Sequence, residues 1–481
     1  MGIQQVRACH QIPLNFYGLL SYISGRVAAP DSNEAVVKTP RRIPFFDGYV
    51  LRDLQLSEEM GVAVTENGDI MQWGKGYLSN CRAPIVTLSG KDIVKVGLSQ
   101  DRIIALSSSG NVYSMPFSKE EQELFAKPKE HGSIPFSSWD SPISYRSLTP
   151  KLGFWETVVD IAVGLEHTVM LTSAGRVFTA ASATYIFPLK GQLGIPEISW
   201  DTKPKPYDTP QEVTSLGECK ITQIAAGDYH SIAAGKNGKI FTWGDNTKGQ
   251  LGFNYKEDSI MKPTLLPQRA FYKDEAVKVT LKAIYAGGLN SFFTMDAETP
   301  DPIADDKTIK SHDVFSCGYG VHGTTGSGIW AHAHGPPQKL KTISGLTEYS
   351  EKQSKLVPIG TSYITVGGTH AAVVMSNLAN IQENSWKRTD VEFGNDIMFF
   401  GGNEFYQLGN GKRVNLNTPT YVPPLEPARG STSRSTEDRF QVVPAKKVAI
   451  LDQRSKKRSV KIEQRVIAGR GLTGCYARTC S

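Results

Sequence analysis

One phrase recurs along this chain, and an internal repeat restricts the fold more than any other sequence feature. Each copy has a β-rich run, a glycine, a histidine three residues later, a turn glycine and a short strand. The clearest copy covers residues 221–252, a second starts at Val158 and a third at Ile364. The repeat positions that we select are Gly164, His167, Gly175, Gly227, His230, Gly238, Trp243, Gly244, Gly252, Gly367, His370 and Gly401.

Weaker copies fill the intervals between these three. Asn290 takes the histidine place in one of them, and a half-copy starting at Val466 ends with the chain. Each unit reads as a small antiparallel sheet with half-buried strands, which cannot bury both of its faces alone. The sequence therefore predicts an all-β fold in which such sheets pack around one axis. The first glycine place is filled by Ser57, Gly97, Gly164, Gly227, Gly287, Gly367 and Gly469.

The repeated residue types have physical reasons. Asn67-Gly68 and Asn237-Gly238 are typical turn pairs, because tight hairpin turns need positive φ. The first glycine of each copy permits close backbone approach near the axis. The tryptophan of Trp243-Gly244 is expected to fill the wedge between adjacent sheets.

The order Gly-x-x-His-(Ser/Thr), a turn glycine and Trp-Gly-x-Asn-x-x-Gly-Gln-Leu-Gly resembles the repeat of the regulator of chromosome condensation family. Residues 221–252 match it almost position for position. The resemblance implies a seven-bladed β-propeller of four-stranded antiparallel blades. Because the last copy is half a blade, an N-terminal strand is expected to close the ring. We favour Phe16–Gly18 for that strand, with Tyr17 in the tryptophan place, over the alternative Ile43–Phe46.

The predicted organisation is one domain with insertions. Residues 1–42 form an N-terminal extension with the closing strand near 14–22, and residues 43–481 form a single propeller. Long loops tend to carry function. The inserted loops are expected at 117–150, 181–214, 298–310, 332–355 and, as the largest, 422–465.

No motif in the sequence predicts an enzyme, a catalytic residue or a cofactor. A Gly-x-Ser-x-Gly nucleophile elbow and a phosphate-binding loop are both missing from the sequence. The repeat histidines occupy the same place in separate units, which favours packing or a turn hydrogen bond over a metal or catalytic role. His332 and His334 are two ligands, too few for a metal site. The six cysteines are scattered without a CxxC pair, which indicates free thiols in a reducing compartment.

The positive charge is concentrated in one segment. Residues 425–465 hold 11 Lys+Arg and 5 Asp+Glu, so the whole formal excess of +6 lies there. The remainder is neutral, which argues against broad nucleic-acid binding. The run with Arg454, Lys456, Lys457 and Arg458 could contact RNA, acidic lipid or an import receptor, or could be a solvated loop. No apolar run approaches the ~20 residues of a transmembrane helix.

One blade is similar to that of fungal mitochondrial members of the family. Residues 191–196 read Gly-Gln-Leu-Gly-Ile-Pro, and Trp200 and Pro204 follow. The resemblance implies a mitochondrial protein, associated with the inner membrane, that supports assembly of the cytochrome bc1 complex (complex III). Its expected partners are proteins, inner-membrane assembly intermediates among them, bound through the propeller faces and loops. The N-terminus, in which Arg7 and Arg26 precede the first acid at Asp31, resembles a weak presequence or is an ordinary N-terminus.

Two other functions stay open at this point. The founding member of the family implies a guanine-nucleotide exchange factor for a small GTPase. Mitochondrial members in animals imply a factor associated with the mitochondrial ribosome or RNA. Nucleus and cytoplasm are the alternative locations.

Overall fold

The chain is built mainly of short antiparallel strands, and the fold is an all-β propeller. The predicted fold class is therefore confirmed at this level. The computed structural model describes residues 17–19, 27, 37–81, 83–131, 138–204, 206–217, 219–254, 257–300, 308–351, 353–377, 394–423, 439–451 and 457–480.

Five sheets of four or five strands follow one another along the chain, and we name them sheets A to E. Sheet A has β7 (Ile93–Leu98), β8 (Arg102–Ser107), β9 (Val112–Pro116) and β12 (Arg146–Ser147); sheet B has β13 (Val158–Val163), β14 (His167–Thr172), β15 (Val177–Ala181) and β16 (Gln211–Glu212); sheet C has β17 (Ile221–Ala226), β18 (His230–Gly235), β19 (Ile240–Asp245) and β20 (Ser259–Leu266); sheet D has β21 (Lys278–Gly287), β22 (Asn290–Pro300), β23 (Thr308–Gly318) and β24 (His334–Lys339); sheet E has β27 (Thr361–Val366), β28 (His370–Met375), β29 (Asn395–Gly401), β30 (Leu416–Thr420) and β31 (Gln441–Val442).

A nine-stranded sheet joins the two ends of the chain. Within it, β34 (Thr473–Thr479) pairs antiparallel with β1 (Tyr17–Leu19). It also pairs parallel with β3 (Leu51–Leu56), where Arg478 lies opposite Leu51. Its strands are β1 (Tyr17–Leu19), β2 (Arg41–Arg42), β3 (Leu51–Leu56), β4 (Gly61–Thr65), β5 (Ile70–Trp73), β6 (Ile85–Leu88), β32 (Lys446–Leu451), β33 (Lys457–Ala468) and β34 (Thr473–Thr479).

The N-terminal strand lies next to the last repeat, with Tyr17 opposite Cys475 and Gly18 opposite Gly474. Phe16, which we placed in this strand, lies outside the described residues, as do most of the positions 14–22. The alternative at Ile43–Phe46 is not a strand, since Pro44–Phe46 forms a 3-10 turn with its proline in the first position. Instead Arg41 and Arg42 pair with β1.

The remaining elements belong to insertions and connections. Helix α1 (Lys119–Leu124) starts at Ser118, whose hydroxyl accepts a hydrogen bond from the Glu121 N–H, the usual N-cap arrangement. Two small hairpins are β10 (Lys129–His131) with β11 (Ser138–Asp140) and β25 (Thr347–Ser350) with β26 (Lys355–Pro358), and two further 3-10 turns span Thr214–Leu216 and Gln268–Ala270.

The largest insertion is not a loop throughout. Its second half forms the hairpin of β32 and β33, in which Lys446 lies opposite Ile462 and Lys447 opposite Lys461. Val460 and Ile462 alternate with Lys461, as is typical of strands, and residues 448–451 are a run of four apolar residues; we missed this hairpin because the charge of the segment suggested a loop. Residues 424–438 and 452–456 of the insertion lie outside the described residues.

The first strands of the units contact one another in turn. Side chains on these strands accept backbone N–H groups of the next unit. Asp53 accepts from Val96 at 2.9 Å, and Gln223 accepts from Ile284 at 3.2 Å. The Tyr363 hydroxyl accepts from Val466 at 2.8 Å. These bonds satisfy polar groups that would otherwise be buried without a partner.

The apolar core lies between neighbouring sheets. Val169 and Leu171 of sheet B pack in one cluster with Ala233 and Trp243 of sheet C. Trp243 is fully buried, as predicted for the wedge between sheets. Among the described residues no helix is long and apolar enough to cross a membrane.

Candidate functional site: an inter-sheet network and the surfaces around it

The repeat histidines make the same contact in three places. Each imidazole Nε2 lies within hydrogen-bonding distance of a hydroxyl on the next sheet. His167 contacts Ser231 at 2.8 Å, and His230 contacts Ser291 at 2.9 Å. His370 contacts Thr473 at 2.7 Å. The three rings are fully buried.

Each of these hydroxyls donates in turn to the backbone carbonyl of a glutamine in the preceding unit. Ser231 donates to the Gln192 carbonyl at 3.0 Å, Ser291 to Gln250 at 2.6 Å, and Thr473 to Gln407 at 2.8 Å. A hydroxyl has one proton. Because that proton goes to the carbonyl, the hydroxyl accepts from the histidine, whose Nε2 therefore carries the hydrogen.

Burial keeps these imidazoles neutral. Desolvation lowers the pKa of His167 and of His370 to about 3 and that of His230 to about 4. A proton would have to enter at Nδ1, which has no hydrogen-bond partner among the described residues in any of the three rings. The network thus ties sheets together and offers no general base near neutral pH.

The glycine before each histidine makes room for the ring. A Cβ atom built at Gly227 would overlap Cε1 of His230 and lie 2.7 Å from the Gly288 carbonyl oxygen. At Gly164 it would overlap Cε1 of His167. A Cβ at Gly367 would likewise overlap the Gly469 carbonyl oxygen, so the predicted close approach of neighbouring backbones is confirmed, and the imidazole adds a second requirement for space.

Trp243 adds a second bond to the same carbonyl. Its Nε1 donates to the Gln192 oxygen at 3.0 Å, so one carbonyl serves both the indole and Ser231. In sheet D the equivalent residue is Cys317, whose thiol lies 3.4 Å from the Gln250 carbonyl. The remaining repeat glycines adopt positive φ, at Gly175, Gly238, Gly244, Gly252 and Gly401. Asn237 and Asn67 do not, so only the glycine of each predicted turn pair is left-handed.

The glutamines of the Gly-Gln-Leu-Gly segments shape their own loops. The Gln192 side chain accepts from the Lys190 N–H at 2.7 Å, and Gln250 accepts from the Lys248 N–H at 2.8 Å. Gln407 accepts from the Phe405 N–H at 2.9 Å. Each side chain thereby holds the turn that presents its own carbonyl to the next sheet.

Backbone bonds also link units around the axis. Leu165 N donates to the Asp228 carbonyl at 3.0 Å, and Asp228 N donates to the Gly288 carbonyl at 2.7 Å. Between units that are not adjacent in the chain, the Arg470 guanidinium pairs with the Asp228 carboxylate at 2.8 Å. The inner strands around this axis line a cavity of about 280 Å³.

The other candidate residues are not brought into a site. His334 is buried and His332 is exposed, and no group of three metal-ligating side chains occurs in the part of the chain that the structure describes. Arg454 and Lys456 lie outside the described residues. Lys457 and Arg458 belong to β33, where their backbones pair with Leu451 and Ile450.

Comparisons with known proteins agree with this repeat geometry. The family model of the Regulator of chromosome condensation (RCC1) repeat matches residues 190–234 and 237–281, and a second model of the same repeat matches 221–250. The chain therefore contains RCC1 repeats. The resemblance that we inferred from the motif is therefore confirmed.

Two relatives carry a mitochondrial designation. Protein FMP25, mitochondrial, of Saccharomyces cerevisiae is 24% identical over 443 residues, which cover 85% of this chain and 67% of that protein. The RCC1 domain-containing protein RUG3, mitochondrial, of Arabidopsis thaliana is 27% identical over 47% of this chain and 49% of its own length. The chain thus spans only about half of the latter.

A solved structure shows the same fold. Yeast RCC1 (Prp20), crystallised with Kap60, superposes with a TM-score of 0.61 at 18% identity, covering 98% of this chain and 90% of that chain. At this identity the likeness concerns the fold alone.

Sequence reasoning found the histidines but missed what they bind. The hydroxyl after each histidine and the Gly-Gln-Leu-Gly glutamine were both visible as repeated letters. Their contact joins residues about 40–66 positions apart, such as Ser231 with Gln192 or Thr473 with Gln407, and no local pattern gives that pairing. Two exposed aromatic side chains, Phe154 and Trp155, were also missed as a surface feature.

Proposed function

We propose that the chain is a non-enzymatic, protein-binding scaffold that acts in mitochondria and supports assembly of respiratory complex III. The observation that carries the proposal is that the repeat side chains make structural contacts between sheets. The histidines, the hydroxyls that they contact and Trp243 are buried in contacts between sheets, which leaves the propeller faces and the insertions for binding partners. The alignment with FMP25 over 85% of the chain supports the mitochondrial setting.

Two experiments test this role. Fractionation of cells that express the tagged chain should place it in mitochondria, and recovery in nuclei alone would contradict the setting. Blue-native electrophoresis of mitochondria that lack the chain should show less mature complex III and an accumulated intermediate. An unchanged amount of mature complex III in mitochondria that lack the chain would contradict the assembly role.

A second candidate function is guanine-nucleotide exchange on a small GTPase. The observation in its favour is the superposition with yeast RCC1 (Prp20), a protein whose binding to Gsp1p and histones has been described. Purified chain would be added to candidate GTPases loaded with a fluorescent guanine nucleotide. Accelerated release would favour exchange over the scaffold role, and release at the intrinsic rate would exclude the GTPases tested.

We also propose that the nine-stranded sheet represents two blades, which gives seven in all, closed by β1. Support comes from Trp73, whose Nε1 donates to the Val27 carbonyl at 3.0 Å as Trp243 does to Gln192. Removal of residues 1–42 should lower Tm, because the last unit would lose β1 and β2. Removal of residues 1–16 is the matched control and should change Tm little. An equal Tm for the full chain and the larger deletion would contradict closure by β1.

A further inference from the structure

The most exposed aromatic residues of the described chain lie side by side in one loop. Phe154 is 91% exposed and Trp155 is 89% exposed. Their rings meet edge to face with centroids 4.8 Å apart. Fully exposed large aromatic rings are unusual in a soluble surface and mark sites of interaction.

The loop that carries them is firmly held. The Glu156 N–H donates to the Gly153 carbonyl at 3.1 Å, which closes a turn around the aromatic pair. The Glu156 carboxylate takes two bonds from Arg176, at 3.1 and 3.0 Å. Thr157 and Ser173 exchange further hydrogen bonds. The rings therefore protrude from an anchored base, and their exposure does not result from a loose chain.

Lysines lie in this loop and on the turns that follow it toward sheet C, at the same end of the strands. Ser173 N donates to Thr157, Ile221 N donates to Gly175, and Lys236 N donates to Lys220, so these turns and connections adjoin one another. The exposed lysines among them are Lys151, Lys220, Lys236 and Lys239. None of the four forms an ion pair within the described ranges. The nearby carboxylates of Glu156 and Glu212 are both paired with Arg176.

We propose that this aromatic loop and its lysines form a docking surface for an anionic lipid bilayer. Tryptophan side chains favour the bilayer interface, and lysines next to an anionic surface add attraction. A convex tip with two bare rings suits insertion into soft headgroups, while a protein partner would need a pocket of matching shape. Four exposed lysines and Arg176 stand against Glu156 and Glu212, which leaves 5 − 2 = +3 and makes this surface complementary to an anionic one.

Two long hairpins also extend at this end of the strands. One is formed by β22 and β23 and the other by β32 and β33. Lys447 and Lys461 of the second hairpin are exposed, and they are kept unchanged in the test so that the loop is tested alone.

Binding to a bilayer would hold the proposed scaffold at a membrane. Only this interpretation rests on the proposed function, and the binding to lipid itself does not. The test uses the purified full chain and vesicles, so it is independent of complex III. Vesicles of phosphatidylcholine alone are compared with an equimolar mixture of phosphatidylcholine and phosphatidylserine. The chain should sediment with the mixed vesicles and should be released by high salt.

Substitutions then show which residues contact the vesicles. Phe154→Ser with Trp155→Ser should weaken binding about tenfold or more, since two apolar rings lose their burial. Lys220→Glu with Lys236→Glu should weaken it to a similar extent. Trp330→Ser is the matched control: Trp330 is 52% exposed, follows β23 at the opposite end of the strands, and should have no effect. Trp155→Phe should keep most of the binding and remove most of the blue shift in tryptophan fluorescence.

Several results would overturn the proposal. These are equal binding to neutral and mixed vesicles, no binding to either, or an equal loss in the Trp330 control. Full vesicle binding by the Phe154/Trp155 double variant, together with loss of a protein partner from mitochondrial pulldowns, would assign the loop to protein recognition. Vesicle binding as predicted, with normal complex III in cells that lack the chain, would keep this surface and reject the proposed assembly role.

Discussion

The buried histidines make the stability of the ring depend on pH. His167, His230 and His370 are neutral in the fold, with pKa values of about 3, 4 and 3, against an ordinary value of 6.5. The unfolded chain takes up protons below 6.5, while the folded chain does not. The contribution of the three residues is therefore complete above pH 6.5 and is lost as the pH falls toward 4 and 3.

The size of the effect follows from these pKa values. At pH 5 each unfolded histidine gains about 2 kcal/mol from protonation, so the three together remove about 6 kcal/mol of the free energy of unfolding. Total stabilities of proteins are about 5–15 kcal/mol. His334, whose pKa is also lowered by burial, acts in the same direction. Most carboxylates remain ionised at pH 5, so they contribute little above this pH.

The assay is urea unfolding followed by tryptophan fluorescence at pH 7.5, 6.5, 5.5 and 5. The slope near pH 5 should approach three protons, about 4 kcal/mol per pH unit. His230→Gln is the informative variant, because its amide can still donate to Ser291 but cannot titrate. It should reduce the slope by about one proton. A flat profile between pH 6.5 and 5, or an unchanged slope in His230→Gln, would refute the neutral buried network.

Substitutions at three positions test the contacts between sheets. Ser231→Ala leaves the His167 N–H without an acceptor and should cost about 1–3 kcal/mol in urea unfolding, whereas Ser231→Thr keeps the hydroxyl as Thr473 does and should cost less; equal losses would contradict the network. Trp243→Ala empties the wedge between sheets B and C and should cost about 3–5 kcal/mol by the same assay, and a loss near zero would contradict its core position. Gly227→Ala places a methyl group on the His230 ring and should cost about 1–3 kcal/mol, and a stabilised variant would contradict the steric requirement.

The repeat made the fold class predictable because it records local structure. Alternating apolar residues specify strands, turn glycines specify turns, and Trp243 marks the wedge between sheets. All of these signals lie within one copy of the repeat, about 30 residues long. The hairpin of β32 and β33 was missed because its lysines and arginines suggested a loop despite the apolar residues between them. The position of β1 beside β34 depends on pairing between Tyr17 and Cys475, which are separated by nearly the whole chain. Such pairing is decided by tertiary packing.

The candidate site was less predictable for the same reason. The histidine places were visible, but their acceptors lie on a different repeat. A bond such as His370 to Thr473 spans 103 residues. The exposure of Phe154 and Trp155 is also a tertiary property, since a Phe-Trp pair in a sequence is more often expected in a core.

The central claim is a mitochondrial scaffold that holds protein partners through its insertions. Affinity purification of the tagged chain from mitochondria, with mass spectrometry of the bound proteins, tests it most directly. We expect complex III subunits or their assembly intermediates, retained by Ser231→Thr and reduced when the insertion at 181–214 is shortened only between residues 197 and 203, which keeps Gln192 and β16. Recovery of a small GTPase without any complex III component would contradict the scaffold account and favour nucleotide exchange.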